Sequence, residues 1–578
     1  MICLFTFLCI YVFVNIADFR HYAAGQHHPD SEGGTAMTKR YDVVTIVTSL
    51  ILMALLVSGT IFAGDSVISA LTEAKNWTIY QFGWIFILVV AGILFYVLWL
   101  AFSKYGSIRM GRVKPQFGWF GYAAMIFCAA MGSCMIYWPS VEWAEYISWT
   151  NVWPFGWGAG EMAQNALSYS FFHWGIPAWA VYAAGIVPIG YRYYVRKKPG
   201  LTIQGGCEGV FGEKAVQGPL GTVINIIFIV GILGGLTITY GTGIPMLANF
   251  LHVVIGTPEN FSMDVILIVV LTAAFTWSAL SGIEKGILHL SRLCIIFCGV
   301  MLALILVLGN TGYIINSTTQ ALGSHFQNFF AMLFNVGPGQ TEYGTNFAME
   351  WTVFYWAWWL GLAPVMWIFI AKCSKGRTIR SIILTVIGAG FVADVLFFGV
   401  ISGNGLSRYV NFDWAALGSG NTPLDAFYNT WNEFAFISDT LTDTVSLPKL
   451  VIGVWFIGCF ILLITTMDSS AYTMAAATER RLGVNSDPKK RLRFFWALLL
   501  SVAPLCILGS GAGTKSCTAV VVLTAVPVMV LVICAIIGST KWILKDFSKM
   551  TRQQIENYFE TDEEREERLA ALKAIPED

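Results

Sequence analysis

Charge is scarce in this chain. Asp, Glu, Lys and Arg make up 12% of its 578 residues, about half the roughly 25% of a soluble protein. The 35 basic and 35 acidic residues cancel, so no basic excess points to nucleic acid. Hydrolase motifs are missing too. No HExxH, no GxSxG and no paired His occurs in any apolar run, which removes the support for an intramembrane enzyme. The 12 Cys form no CxxC and no Cys/His ligand set. Cys128, Cys134, Cys294, Cys298, Cys459 and Cys534 sit inside apolar runs, as small buried residues rather than a disulfide framework.

What is abundant is apolar surface, at 56% of residues with a mean hydropathy of +0.65. Runs of about 20 apolar residues are long enough to cross a bilayer. They fall at 43–64, 82–103, 118–138, 167–191, 219–240, 263–282, 287–309, 351–371, 381–402, 450–474, 493–511 and 517–539. The chain is therefore expected to be an all-α membrane protein of about twelve transmembrane helices.

Basic residues cluster after alternate spans: Lys104–Lys114, Arg192–Lys198, Lys372–Arg380 and Arg480–Arg493. Lys39 and Arg40 precede the first span, and the opposite loops carry Glu142, Glu145 and Glu161 or, over 310–349, no Lys or Arg. The positive-inside rule then puts both termini in the cytoplasm. Residues 1–36 read as a leader or start-site artefact without order, ahead of Met37-Thr38-Lys39-Arg40. Two peripheral helices are expected over 37–117. A loop over 311–349 carries Phe326, Phe329, Phe330 and Phe334 at amphipathic spacing, and 541–578 is a charged cytoplasmic tail that reads as a solvated end.

Aromatics are concentrated at Glu350–Trp359, with four Trp and one Tyr in ten residues. On a helix Trp351, Tyr355, Trp358 and Leu362 share one face with Trp359 on its flank. Two readings are open. One is an interfacial aromatic belt. The other is a cage of π-faces for a cation without hydrogen-bond donors, such as trimethylammonium. Breakers recur five spans apart, at Gly132-Ser133-Cys134 and Pro139 in the third span and at Gly361 and Pro364 in the eighth. Interrupted helices in matching places point to an inverted-repeat transporter. The tenth span holds Thr465-Thr466-Met467-Asp468-Ser469-Ser470. Asp468 is either a functional intramembrane acid or a helix cap. Arg292 reads as a counter-ion or a fixed charge near the path, and His289 as a buried, satisfied histidine.

Together these motifs resemble the betaine/carnitine/choline transporter family over about 40–540. Trp351-Thr352-Val353-Phe354-Tyr355-Trp356-Ala357-Trp358-Trp359 is close to its signature. Ser170-Phe171-Phe172-His173-Trp174-Gly175 resembles its fourth-span motif, and Trp138-Pro139-Ser140-Val141-Glu142 its third-span motif. The resemblance implies two five-helix inverted repeats, 118–310 and 350–540, a homotrimer, and a mid-membrane substrate box. By motif alignment Trp174, Tyr355, Trp358 and Trp359 fall on that box. Trp138 and Glu145 are added to it, Glu145 at a position where carnitine-exchanging members have a tyrosine. Met131, Thr465 and Thr466 fall on a sodium site, and Thr239 on another.

Coupling signals are mixed. Exchangers of the family carry an arginine where Cys294 stands and a methionine that Met366 matches, whereas Thr465-Thr466 resembles the sodium-coupled members. The expected activity is secondary transport of carnitine, glycine betaine or a related betaine across the inner (plasma) membrane. It is expected to be sodium-coupled and to need no other cofactor. Choline transport, sodium-independent exchange and an osmotic or substrate sensor are the alternatives.

Overall fold

The computed structural model describes residues 43–147, 149, 152, 155–157, 159–281, 286–410, 433–442, 445–479, 486–509 and 514–573. Residues 1–36, expected to be a leader or start-site artefact, lie outside them. Among the described residues every apolar run falls on helix, and pairing between extended segments is limited to the isolated bridges Arg109–Thr378 and Val152–Trp157.

The helices are α1 (Val43–Phe102), α2 (Trp119–Met131), α3 (Cys134–Ile147), α4 (Ala159–Trp174), α5 (Ile176–Ala183) and α6 (Pro219–Ile255). They continue with α7 (Phe261–Ser281), α8 (Leu288–Leu308), α9 (Thr311–Leu333), α10 (Phe354–Cys373), α11 (Ile379–Val410) and α12 (Glu433–Thr442). The last are α13 (Pro448–Thr478), α14 (Lys490–Gly509), α15 (Thr514–Phe547), α16 (Arg552–Phe559) and α17 (Asp562–Lys573). Nine described helices are long and apolar enough to cross a bilayer, and α2 with α3 form a tenth span bent by 59°.

The first two predicted spans differ from expectation. They share α1, which is continuous over 60 residues. No proline or turn dipeptide separates the two apolar runs, so nothing in the sequence terminates the helix between them. The eleventh run is α14, whose C-terminal side chains lie outside the described residues.

Helix contacts obey a two-part rule. α6 packs on α15 as α13 packs on α8. α10 packs on α15 as α2 packs on α8. α3 packs on α11 as α10 packs on α5, and α7 packs on α13 as α14 packs on α6. Exchanging the five spans from α2 to α8 with the five from α10 to α15 therefore preserves the set of neighbours. A repeat with an odd number of spans enters the membrane from the opposite side the second time, so the repeat is inverted.

The two halves differ at their first spans. The third span is broken as its sequence predicts. The eighth is not. α10 runs through Gly361 and Pro364 without interruption, and its irregularity is a π-helical turn at Ala348–Val353. Pro364 leaves one backbone carbonyl without its helical donor. Every residue of α10 is buried, and such surroundings let a helix carry a proline in the membrane.

α9 presents Phe326 and Phe330 outward while Ala321, Ser324 and His325 pack inward. The tail is docked rather than solvated. Arg109 clamps Glu564 at 2.8 and 3.0 Å, Lys114 pairs with Glu563 at 2.7 Å, and Ser107 donates to Glu556 at 2.9 Å. Arg112 lies 4.3 Å from the Tyr558 ring, and Ile555 and Phe559 are buried.

Candidate functional site

The break in the third span organises the site. Gly132 takes φ +51°, a conformation that favours glycine. A Cβ there would lie 2.9 Å from Thr466 Oγ, so the missing side chain also lets α13 approach. Ending α2 at Met131 leaves its last carbonyls without helical donors. The Cys128 carbonyl accepts from Thr466 Oγ at 2.9 Å and from Thr465 Oγ at 3.4 Å, while Thr465 also donates to Leu462 at 2.8 Å. Across the break Ser133 Oγ donates to the Thr239 carbonyl at 3.0 Å, and Cys134 Sγ lies 3.7 Å from Thr239 Oγ.

A cavity lies against this break. Met131, Thr239, Thr466, Trp174, Trp358 and Trp359 all line it. Trp174 ends α4, and Trp358 and Trp359 sit one and a half turns into α10. The Trp174 ring meets Trp358 at 5.6 Å and Trp359 at 5.9 Å, both nearly perpendicular. Such edge-to-face packing suits the ring quadrupoles. The indole N–H groups of Trp174, Trp358 and Trp359 are buried without an acceptor. Among the described residues no charged side chain lines the cavity.

Tyr355 and Trp138 form the layer behind. The Tyr355 ring is 5.5 Å from Trp174 and 5.8 Å from Trp138, and Trp138 is 5.9 Å from Trp358. They support the box without lining the cavity. Thr465 likewise stands behind Thr466. Trp351 is half-buried, 4.9 Å from Tyr146, and does not reach the cavity.

Glu145 does not line the cavity either. It is half-buried on α3. The third span continues to Ile147, which places Glu142 inside it rather than in a loop, fully buried. Glu142 accepts a hydrogen bond from Tyr146. Tyr146 meets His173 Nδ1 at 2.7 Å, and His173 Nε2 meets Thr352 Oγ at 2.8 Å. The Glu142 carboxyl also faces Tyr355, Ser170 and Trp174. This chain of polar groups joins α3, α4 and the π-turn before α10.

Asp468 is in mid-helix, so it caps nothing; it accepts from Ser278 and is fully buried. His289 and Arg292 are exposed on α8, with Arg292 beside Gly121. Cys294, not Arg292, faces Cys128 and lies 4.0 Å from Cys298. Tyr182 lines the cavity at 4.7 Å from Trp359. It follows Trp174 by about two turns, and that spacing is the signal that points to it. Cys134, from the break itself, and Leu236 also line the cavity, and no motif marks Leu236.

The family model for betaine/carnitine/choline transporters matches residues 43–548. A transporter of Escherichia coli named as uncharacterised is 33% identical, covering 80% of this chain and 93% of that protein. The carnitine transporter of Acinetobacter baumannii is 31% identical over 91% of this chain and 94% of its own. The glycine betaine transporter OpuD of Bacillus subtilis is 30% identical over 82% and 89%. With its membrane-spanning helices, inverted repeat and match over most of its length, the chain is a transporter and belongs to the betaine/carnitine/choline transporter family.

Proposed function

We propose that this protein carries a zwitterionic quaternary ammonium compound, namely carnitine, glycine betaine or a related betaine, across the plasma membrane together with sodium. The observation that carries the reading is a cavity walled by Trp174, Trp358, Trp359 and Tyr182, with no charge among the described residues that line it. A trimethylammonium head donates no hydrogen bonds, so π-faces are its natural partners. Each desolvated contact contributes up to about 2 kcal/mol. The first N–H groups of α3 begin at the break, and a helix N-terminus favours a carboxylate. Hydroxyls of Thr465 and Thr466 beside helix-end carbonyls supply neutral oxygens for sodium, as in transporters with broken helices. The names of the A. baumannii and B. subtilis relatives support the substrate class. The same reading includes a homotrimer with the charged C-terminal tail in the cytoplasm.

Glu142 favours a second reading, choline. A buried acid facing Trp174 and Tyr355 attracts a cation and disfavours a carboxylate. Met366 on the cavity wall favours sodium-independent exchange. One experiment separates all three: uptake of carnitine, glycine betaine and choline into proteoliposomes, with a sodium gradient, with potassium alone, and with substrate preloaded inside. Sodium-stimulated uptake of a betaine supports the proposal. Choline alone, or uptake only by preloaded vesicles, replaces it. No flux of any of them leaves a sensor.

A further inference from the structure

Asp394 lies in mid-span on α11 and is fully buried. An acid inside the membrane is costly and calls for a role. No described cation pairs with it. Among the described residues its one polar partner is Trp179 on α5, whose indole N–H donates to Oδ2 at 2.6 Å, and Oδ1 has none. Gly390, one turn earlier on α11, leaves no room for a Cβ against the Trp179 ring. The two residues make a socket. Gly390 admits the indole and Asp394 fixes its rotation.

Trp179 in turn braces the box. Its ring lies 5.8 Å from Trp359 and 6.0 Å from Tyr182, and Phe127 stacks on it at 6.4 Å. Trp359 and Tyr182 line the cavity. Trp179 does not, so whatever it does for substrate acts through them. We infer that Asp394 is a positioning residue for substrate recognition: through Trp179 it sets the orientation of Trp359 and Tyr182. The inference rests on the proposed quaternary-ammonium reading for its substrate. The bond also joins a helix of the first repeat to one of the second, so the shape of the box depends on both.

The test uses Asp394→Asn, Asp394→Leu, Trp179→Phe and the double variant Asp394→Leu/Trp179→Phe in the full chain. Asn keeps an oxygen that accepts the indole N–H, and Leu does not. Two readouts are taken. Ultraviolet resonance Raman difference spectra against Trp179→Phe isolate the hydrogen-bonding state of one indole among the 22 Trp. Proteoliposome uptake gives KM and Vmax for whichever of glycine betaine, carnitine or choline the wild type carries.

The expected result is a strongly hydrogen-bonded Trp179 in wild type and Asp394→Asn, absent in Asp394→Leu. KM rises about tenfold in Asp394→Leu with Vmax nearly kept, and stays within about twofold in Asp394→Asn. The double variant is no worse than Trp179→Phe alone, because both changes remove one interaction. Loss of uptake in Asp394→Asn equal to that in Asp394→Leu overturns the inference and assigns the carboxyl a charge-bearing role. Additive KM effects overturn it as well. A wild type that carries none of the three substrates defeats the substrate reading instead, while the Raman arm still reads the anchor. If Asp394→Leu does not insert, Asp394→Asn against Trp179→Phe decides.

Discussion

Replacing Trp359 by Leu removes a π-face but keeps much of the apolar bulk. Trp359 meets Trp174 at 5.9 Å and Tyr182 at 4.7 Å on the cavity wall, where water is largely excluded. A cation–π contact in such a site is worth up to about 2 kcal/mol. At about 1.4 kcal/mol per tenfold, its loss weakens binding about thirtyfold. Trp351 is the control. It lies on the same stretch of sequence and stacks near Tyr355 at 6.2 Å, yet it does not line the cavity. Trp351→Leu is expected to change affinity by less than about threefold, since neutral contacts around a hot spot contribute little. Equilibrium binding of radiolabelled substrate to purified, detergent-solubilised protein measures both, and Trp359→Phe is expected to recover part of the loss. Equal effects at Trp351 and Trp359, or an unchanged Trp359→Leu, would refute the cage and restore the interfacial belt.

Thr466→Ala removes a hydroxyl from beside the Cys128 carbonyl and is expected to raise the sodium concentration for half-maximal uptake; wild-type uptake equally fast in potassium rules this out. Neither acid lines the cavity, but Glu142 is fully buried against Trp174 and Tyr355 while Glu145 is half-buried; Glu145→Tyr is expected to leave the choline-to-betaine uptake ratio unchanged and Glu142→Gln to shift it toward betaines, and the reverse pattern contradicts the placement of the two acids. The Arg109 clamp holds Glu564 below the usual carboxylate range. A depressed folded value means the contribution is present above the ordinary value of about 4.3 and is lost as pH falls through the lower one. Hydrogen-exchange protection of 552–573, taken relative to the intrinsic rate at each pH, is therefore expected to be high near neutral pH and to fall in acid, in molar salt and in Arg109→Ala. A half-buried surface pair of this kind contributes about 1 kcal/mol or less, and unchanged protection in Arg109→Ala shows the clamp to be idle.

Much of this architecture is legible in the sequence because the bilayer imposes a length. Runs of fixed extent mark the spans, and Trp351, Tyr355, Trp358 and Trp359 announce an aromatic face by spacing alone. Spacing does not say which of those rings reach a cavity. That depends on where α10 is rotated against α4, which no local pattern encodes. Asp394 and Trp179 are 215 positions apart, and Thr466 and Cys128 are 338 apart; neither partner advertises the other. Glu142 is hidden by a different cause. Pro139 reads as a helix stop, but the helix α3 runs through it, so a residue placed in a loop by that rule ends up in the core.

The neighbour-preserving exchange of the two halves has an energetic corollary. If each half adopts the other's conformation, the same helix contacts are remade facing the other side of the membrane. Two such arrangements are near-degenerate by construction, so the scaffold itself has little preferred direction. Whatever bias exists must come from the places where the halves are unlike: a span bent by 59° at Gly132 on one side, and an unbroken helix entered through a π-turn on the other. A machine of this kind runs either way, and the gradients across the membrane choose.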